Sequence, residues 1–318
     1  MYATDNIIDI RGLTHRYGKF TSVQDVNLTV HTGEIFGFLG PNGAGKTTTI
    51  RLMLDFIRPN AGDIRVFGLD ARDDSSTIRK RVGYLPAELT LWENWRGIEH
   101  IRWLNKVYAD DLVPEAQRLA DALDFDLNRS LRGLSTGMKR KMGVIAAMAH
   151  KPELLILDEP TSGLDPLMQQ VFHDLMREVR DEGRTVFMSS HMLTEVEQIC
   201  DRVGIIRNGR LEEIETVANL TRNTFRWLTV TLRDPAVVNG FSTLDGISEV
   251  SVDGHEICMK VSGEADMNAV VREIGRYDIT DLQFMRPTLE EIFLAFYGKQ
   301  DAPVQAVETE SAAYSLEV

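Results

Sequence analysis

The spacing of apolar residues gives the chain two textures. Ile7 to Ile10 and Val26 to Val30 alternate apolar with polar positions, which predicts half-exposed strands. Glu34 to Leu39 is more continuously apolar, as a central strand should be. It runs into a Gly-rich loop, and Lys46 to Phe56 then reads as a helix, ended by the breakers Arg58-Pro59-Asn60-Ala61-Gly62. Further strands are predicted at Asp63 to Val66, Val82 to Leu85, Leu154 to Asp158, Thr185 to Ser189 and Val203 to Ile206. Between Glu88 and His150 the pattern is helical throughout, with Trp95, Ile98, Ile101 and Leu104 recurring on one face. This predicts an α/β domain over 1–215 with an all-helical insertion at about 88–150.

After about Thr216 the texture changes. Trp227 to Leu232, Ser248 to Val252 and Ile257 to Val261 alternate like strands, and Asp253-Gly254 is the signature of a hairpin turn. Asp266 to Ile274 reads as a helix and Ile279 to Phe284 as extended chain. Thr288-Leu289-Glu290-Glu291 is a capping box opening a last helix through Phe296. A small α+β domain over 216–299 follows from these elements. Residues 300–318 carry Asp301, Glu308, Glu310 and Glu317 but no Lys or Arg, the composition of a disordered acidic tail.

Composition narrows the class. With 318 residues the chain has room for about two domains of roughly 100–200 residues each. Its 43% hydrophobic and 26% charged residues are those of a soluble globular protein. The net charge of −13 argues against coating nucleic acid, since phosphate backbones are held by Lys and Arg. Cys200 and Cys258 lie far apart without metal-ligand spacing and read as buried thiols in a reducing compartment. No stretch approaches the roughly 20 apolar residues that span a bilayer. Met1 to Asn6 lacks the basic start of a secretory signal. The expectation is a cytoplasmic protein.

The chemistry lies in four motifs. Gly40-Pro41-Asn42-Gly43-Ala44-Gly45-Lys46-Thr47 stands between a strand and a helix. There, backbone N–H groups can surround a β-phosphate and the helix N-terminus adds a favourable dipole. Lys46 supplies a point charge to the β- and γ-phosphates, and Thr47 a hydroxyl for Mg²⁺. Leu154-Leu155-Ile156-Leu157-Asp158-Glu159 is an apolar strand ending in a carboxylate, Asp158, placed to hold Mg²⁺ through water. Leu134-Ser135-Thr136-Gly137-Met138 can cap a helix whose free N–H groups face an anion, with Gly137 permitting close approach. A simple N-cap without ligand is the plainer alternative. Ser189-Ser190-His191 closes the series, and an isolated histidine at a strand end can also be structural.

In this order the motifs resemble the ATPase cassette of the ABC superfamily over about residues 5 to 215. The small domain resembles the C-terminal extension of drug- and antibiotic-exporter ATPases of the daunorubicin-resistance type. The resemblance implies an α/β P-loop fold, a mixed β-sheet core plus helical subdomain, with ATP and Mg²⁺ as ligands. It implies a nucleotide-binding set of Tyr17, Gly40, Pro41, Asn42, Gly43, Ala44, Gly45, Lys46, Thr47, Thr48, Ser135 and Gly137. Tyr17, in Arg16-Tyr17-Gly18, takes the adenine-stacking position. Glu159 takes the position that polarises the attacking water, with a second metal-site carboxylate or a loop cap as the alternative. His191 takes that of the γ-phosphate sensor, and Ser162-Gly163-Leu164-Asp165 that of a dimer-contact loop. Ser135-Thr136-Gly137-Met138 departs from the family's Ser-Gly-Gly-Gln at Thr136 and Met138. Where the family has a glutamine touching Mg²⁺, this chain has Ala87 followed by Glu88, which either substitutes for it or is an ordinary helix-start carboxylate.

The resemblance also implies partners. One cassette per chain requires a second, identical or paralogous, paired head to tail. A separate membrane permease would be driven from its cytoplasmic face, in an exporter of drug-like or other hydrophobic substrates. Trp92, Trp95 and Trp103 are candidates for the groove that receives a permease helix, against a plainer role as core of the helical insertion. The 216–299 domain reads either as a regulatory module or as a dimer-stabilising appendage. The competing class is an ABC ATPase acting on ribosomes or DNA. A single cassette, no heptad run and the acidic balance weigh against it.

Overall fold

The structure, a computed structural model, describes residues 6–222, 225–234, 241, 244–263 and 265–285. The expected Thr288 to Phe296 helix and the acidic tail lie outside the described residues. The chain divides into two units, Met1–Asn223 and Thr224–Val318.

The first unit opens with strands β1 (Asn6–Tyr17), β2 (Phe20–His31) and β3 (Ile35–Leu39), then helix α1 (Lys46–Met53). Next come β4 (Ala61–Val66), β5 (Leu69–Asp70), α2 (Ser75–Arg81) and β6 (Val82–Leu85). The insertion contains α3 (Gly97–Tyr108), α4 (Val113–Ala122) and α5 (Thr136–Met148). The chain returns through β7 (Leu154–Asp158), α6 (Pro166–Asp181), β8 (Thr185–Ser190), α7 (Leu193–Ile199) and β9 (Arg202–Arg207). It closes with β10 (Arg210–Thr216) and α8 (Val217–Arg222). Because β10 pairs with β9, and Val217 N donates to Asp201 O, this unit runs on past Thr216.

Two sheets build it. One has the order β2-β1-β4-β5 and is antiparallel; the other has the order β10-β9-β3-β8-β7-β6. In the second, β9, β3, β8, β7 and β6 run parallel and only β10 runs antiparallel. Strands β3, β7 and β8 are buried along their whole length, which is why they read as continuous apolar runs. Phe36, Phe38 and Phe187 join Ile8, Ile10 and Leu28 of the antiparallel sheet in one core.

Helix α1 stops at Met53, short of the expected Phe56, because Asp55 turns into the left-handed region (φ 54°). The insertion is less helical than its pattern suggested. Residues 123–135 carry no helix, yet Leu123, Phe125, Leu127 and Leu131 are buried at odd spacings. That segment is tied instead to the entry of α3, through Ile98 N to Leu127 O and Leu131 N to Trp95 O. Trp95 precedes α3, whereas Ile101 is buried within it.

The second unit contains β11 (Phe225–Leu232), β12 (Ile247–Asp253), β13 (Glu256–Ser262), α9 (Met267–Ile274) and β14 (Ile279–Met285). Its antiparallel sheet has the order β12-β13-β11-β14. The Asp253-Gly254 turn joins β12 to β13, with Asp253 opposite Glu256 and Gly254 at φ 57°. Leu228, Val230, Ile257, Met259 and Val270 form a core of its own. Both cysteines are free. Cys200 is buried, while Cys258 is only half-buried, short of the full burial expected from the sequence.

Candidate functional site

Strand register assembles the site. Leu39, the last residue of β3, pairs with Ser190 at the end of β8, and Asp158 at the end of β7 pairs with Ser189. The Gly-rich loop, the Asp158-Glu159 pair and His191 therefore leave the sheet side by side at its carboxyl edge, where open α/β sheets bind ligands.

The loop wraps the start of α1. Gly45, the N-cap, stands at φ 111° and Gly43 at φ 81°, conformations that L side chains rarely adopt. A Cβ at Gly40 would sit 2.3 Å from Ile206 O and one at Gly45 2.6 Å from Ser22 O, so the loop backbone passes flush against its neighbours. Ala44 is buried, Pro41 and Asn42 are exposed, and Thr47 and Thr48 are half-buried. Ser22 Oγ donates to Thr48 Oγ1 at 2.9 Å, anchoring β2 on the first turn of α1.

Lys46 is 6% exposed. Its Nζ donates to Gly40 O at 2.6 Å and Pro41 O at 3.3 Å, and lies 3.2 Å from Glu159 Oε1. His191 Nδ1 approaches Glu159 Oε2 at 2.6 Å. A carboxylate only accepts, so Nδ1 carries the proton and Nε2 is left for another group. Glu159 itself stands at φ 51°, an uncommon conformation for a non-glycine residue, which turns the chain sharply at the end of β7. Lys46, more than a hundred positions before Glu159, and His191, 32 positions after it, thus meet through one carboxylate.

Asp158 is fully buried. Ser189 Oγ donates to its Oδ1 at 2.5 Å and accepts the Glu159 N–H at 3.1 Å, while Oδ2 has no hydrogen-bond partner among the described residues. Tyr84, on the neighbouring β6, has its pKa pushed up to about 12, chiefly by burial and then by the Asp158 charge. Glu195 is buried against Ser190, whose Oγ donates to its Oε2 at 2.6 Å, and burial raises its pKa. Ser189 and Ser190 are site residues to which the motif Ser189-Ser190-His191 alone assigns no task. The signal was present, since a hydroxyl beside a buried strand-end carboxylate is a natural hydrogen-bond partner.

Other expected residues stand apart. Ser135 caps α5, its Oγ accepting from Met138 N at 3.3 Å. A Cβ on Gly137 would meet Gly163 O at 2.5 Å, so the cap packs against the 162–165 loop of the same chain. Among the described residues no hydrogen bond or ion pair joins residues 135–138 to the Gly-rich loop, Glu159 or His191. Asp165 caps α6 by accepting from Met168 N at 3.0 Å. Tyr17, at the tip of the β1–β2 hairpin, is 46% exposed and packs edge-on against His15 at 4.6 Å. Glu88 is exposed and makes no hydrogen bond or ion pair among the described residues. Trp92, Trp95 and Trp103 cluster with His100 rather than forming buried core: Trp92 is 44% and Trp103 39% exposed, with centroids 4.7 Å apart.

Comparison with known proteins gives the family. The family model described as "ABC transporter" matches residues 23–162, and that described as "ATP-binding protein DrrA1-3-like, C-terminal domain" matches residues 209–297. The bacitracin transport ATP-binding protein BcrA of Bacillus licheniformis is 36% identical over 92% of this chain and 97% of its own length. This chain belongs to the ABC transporter ATP-binding family. The linearmycin resistance ATP-binding protein LnrL of Bacillus subtilis (strain 168) is 31% identical over 92% of this chain and 99% of its own. The solved structure of an ATP-binding subunit of an ABC transporter superposes with TM-score 0.64 at 29% identity, over 68% of this chain and 92% of that one. The cassette is therefore a nucleotide-binding, ATP-hydrolysing subunit of the drug- and antibiotic-exporter type, a family whose ATP-binding subunits dimerise and work with membrane permease components. No helix among the described residues is long and apolar enough to cross a membrane.

Proposed function

We propose that the cassette hydrolyses ATP at a site where Glu159 is the general base, and that it powers an exporter of antibiotic-like hydrophobic compounds. The observation that carries this reading is the position of Glu159, held 3.2 Å from Lys46 and 2.6 Å from His191 at the end of β7. A carboxylate so oriented can polarise a water, and His191 fixes its direction while Nε2 remains free for a phosphate oxygen. Lys46 places its charge at the mouth of the Gly-rich loop, whose N–H groups take the phosphates. The ring of Tyr17, exposed at the hairpin tip, stacks on adenine.

The residues fit a magnesium ion. Asp158 keeps a buried oxygen without a hydrogen-bond partner, and Thr47 adds a hydroxyl, an all-oxygen donor set suited to that hard cation. Mg²⁺ held there would neutralise charge on the phosphate oxygens. Ser189 fixes the Asp158 carboxylate, and Ser135 with Gly137 offers a helix N-terminus to the phosphates held by a second cassette, identical or paralogous.

The exporter reading rests on the relatives named for bacitracin transport and linearmycin resistance. These names favour transport over action on ribosomes or DNA. A cavity of about 290 Å³ between β6 and the helical insertion, lined by Phe56, Tyr84, Leu89, Leu104, Tyr108 and Ala146, is the seat we assign to a permease helix. The three tryptophans do not line it. They flank it, because His100 both lines the cavity and contacts their cluster. The cassette then sits peripherally on the cytoplasmic face of the membrane.

The test is a mild-detergent pull-down of tagged Glu159→Gln protein with ATP from its native cells. A stoichiometric multi-spanning membrane protein, lost when Ala146→Trp fills the cavity, supports the reading. Ribosomal or DNA-maintenance proteins in its place overturn it.

A further inference from the structure

Arg140 is a buried cation whose hydrogen-bond partners are backbone carbonyls. It lies in the second turn of α5, five residues beyond Ser135, and is 5% exposed. Its Nη1 donates to Pro86 O and its Nη2 to Ala87 O, each at 2.7 Å. No Asp or Glu among the described residues forms an ion pair with it. Burial lowers its pKa, while the charges of Asp158 and then Glu159 favour its protonated form. Burying a charge this way is costly unless its donors are well placed. A planar fork that holds two successive carbonyls fixes both the position and the direction of that backbone, which a lysine cannot do.

The segment it holds is well placed to matter. Pro86 and Ala87 directly follow β6, and Leu85 of β6 pairs with Leu157, the residue before Asp158. Ala87 has only a methyl side chain, and Glu88 is exposed with no hydrogen bond or ion pair among the described residues, so the backbone carbonyls are what Arg140 holds here. Helix α5 also presses on β6 at Gly143, where a Cβ would lie 2.6 Å from both Leu85 Cδ1 and Leu89 Cδ2. The start of α5, the 86–89 segment and the end of β7 are therefore one packed series.

We propose that Arg140 is a positioning residue that couples the Ser135–Gly137 motif to the Asp158–Glu159 pair through the 86–87 backbone. The proposal rests on the two-cassette reading above. When a second cassette's phosphates engage the start of α5, Arg140 carries the 86–87 carbonyls with the helix, and β6 passes the displacement to β7. In this chain the guanidinium fork links the motif to the segment that follows β6.

The test compares Arg140→Gln and Arg140→Lys with the wild type, and repeats Arg140→Gln in the Glu159→Gln background. Coupling energies between sites typically correspond to about 5- to 150-fold. We expect Arg140→Gln to bind ATP within about twofold of wild type while kcat falls about tenfold within that range. Arg140→Lys, with one prong, should fall between. ATP-dependent dimerisation of Glu159→Gln should be weakened by the added Arg140→Gln. A folded Arg140→Gln with unchanged kcat and dimerisation overturns the proposal, as does a parallel loss of ATP affinity and kcat that tracks a lowered Tm. Failure of the Glu159→Gln parent itself to dimerise with ATP overturns the two-cassette reading, and the proposal with it. Hydrogen exchange on the wild type needs no variant: ATP should protect amides 87–91 and 136–140 together, and independent responses contradict the coupling.

Discussion

Ser189 and Asp158, both fully buried, share one hydrogen bond, Oγ to Oδ1 at 2.5 Å. The same hydroxyl accepts the backbone N–H of Glu159 at 3.1 Å, so one serine orients both acidic residues. Groups that orient a metal-binding carboxylate typically change activity or metal affinity by about 10–100-fold when removed. Ser189→Ala should lower kcat by about that factor and leave the KM for ATP nearly unchanged. Initial rates across an ATP and Mg²⁺ titration check it, and an unchanged kcat shows the serine to be ornamental.

Lys46 is nearly enclosed, between two carbonyls of the Gly-rich loop and Glu159. Hydrogen bonds to charged groups contribute about 1.5–3 kcal/mol, so Lys46→Ala should weaken ATP binding about 10–100-fold. Equilibrium binding of a fluorescent ATP analogue measures this. Binding at wild-type strength would remove Lys46 from the phosphate site.

Two glycines of one loop should respond differently to alanine. At Gly43 (φ 81°) an added Cβ meets nothing within 4 Å, so the cost is backbone strain of about 1–2 kcal/mol. At Gly40 the Cβ would lie 2.3 Å from Ile206 O, and neither backbone can yield cheaply. Urea midpoints should therefore fall further for Gly40→Ala than for Gly43→Ala. The reverse order contradicts the close approach of the loop to β9.

His150 follows α5 with its ring stacked on Tyr108, centroids 4.0 Å apart. Burial first, and then the Arg184 charge, push its pKa down to about 4 against a Val82 backbone contact that acts the other way. The unfolded chain binds the proton near pH 6.5 and the folded one only near pH 4. The His150 contribution is complete above about 6.5 and is lost as pH falls towards 4. Glu195, whose pKa burial raises, acts in the opposite sense, so the informative quantity is a difference between variants. His150→Phe keeps a ring on Tyr108 and should lose less stability between pH 7 and pH 4.5 than wild type. Equal losses would mean that His150 is not buried as a neutral group.

Much of this architecture was legible in the apolar pattern, for definite reasons. Strands β3, β7 and β8 are buried on both faces, so each appears as an unbroken apolar run ending in its motif. The Gly-rich loop and Asp158-Glu159 are local motifs, readable without the fold. The pattern failed where burial was achieved without regular structure: Leu123, Phe125, Leu127 and Leu131 look like part of a helical stretch, yet the first two are bonded back to the end of α4 and the last two to residues 95–98. Arg140 was invisible because its partners are backbone carbonyls, which have no residue signature. Trp92 and Trp103 suggested groove or core, and their half-exposed cluster is not buried core.

Glu159, placed between Lys46 and His191, makes the central claim directly testable through phosphate release by Glu159→Gln at saturating ATP. Removal of a general base typically costs about 10²–10⁴-fold, so turnover should fall by that factor while ATP remains bound. Turnover at the wild-type rate would contradict the assignment of Glu159 as the base, and with it the mechanism built on this carboxylate.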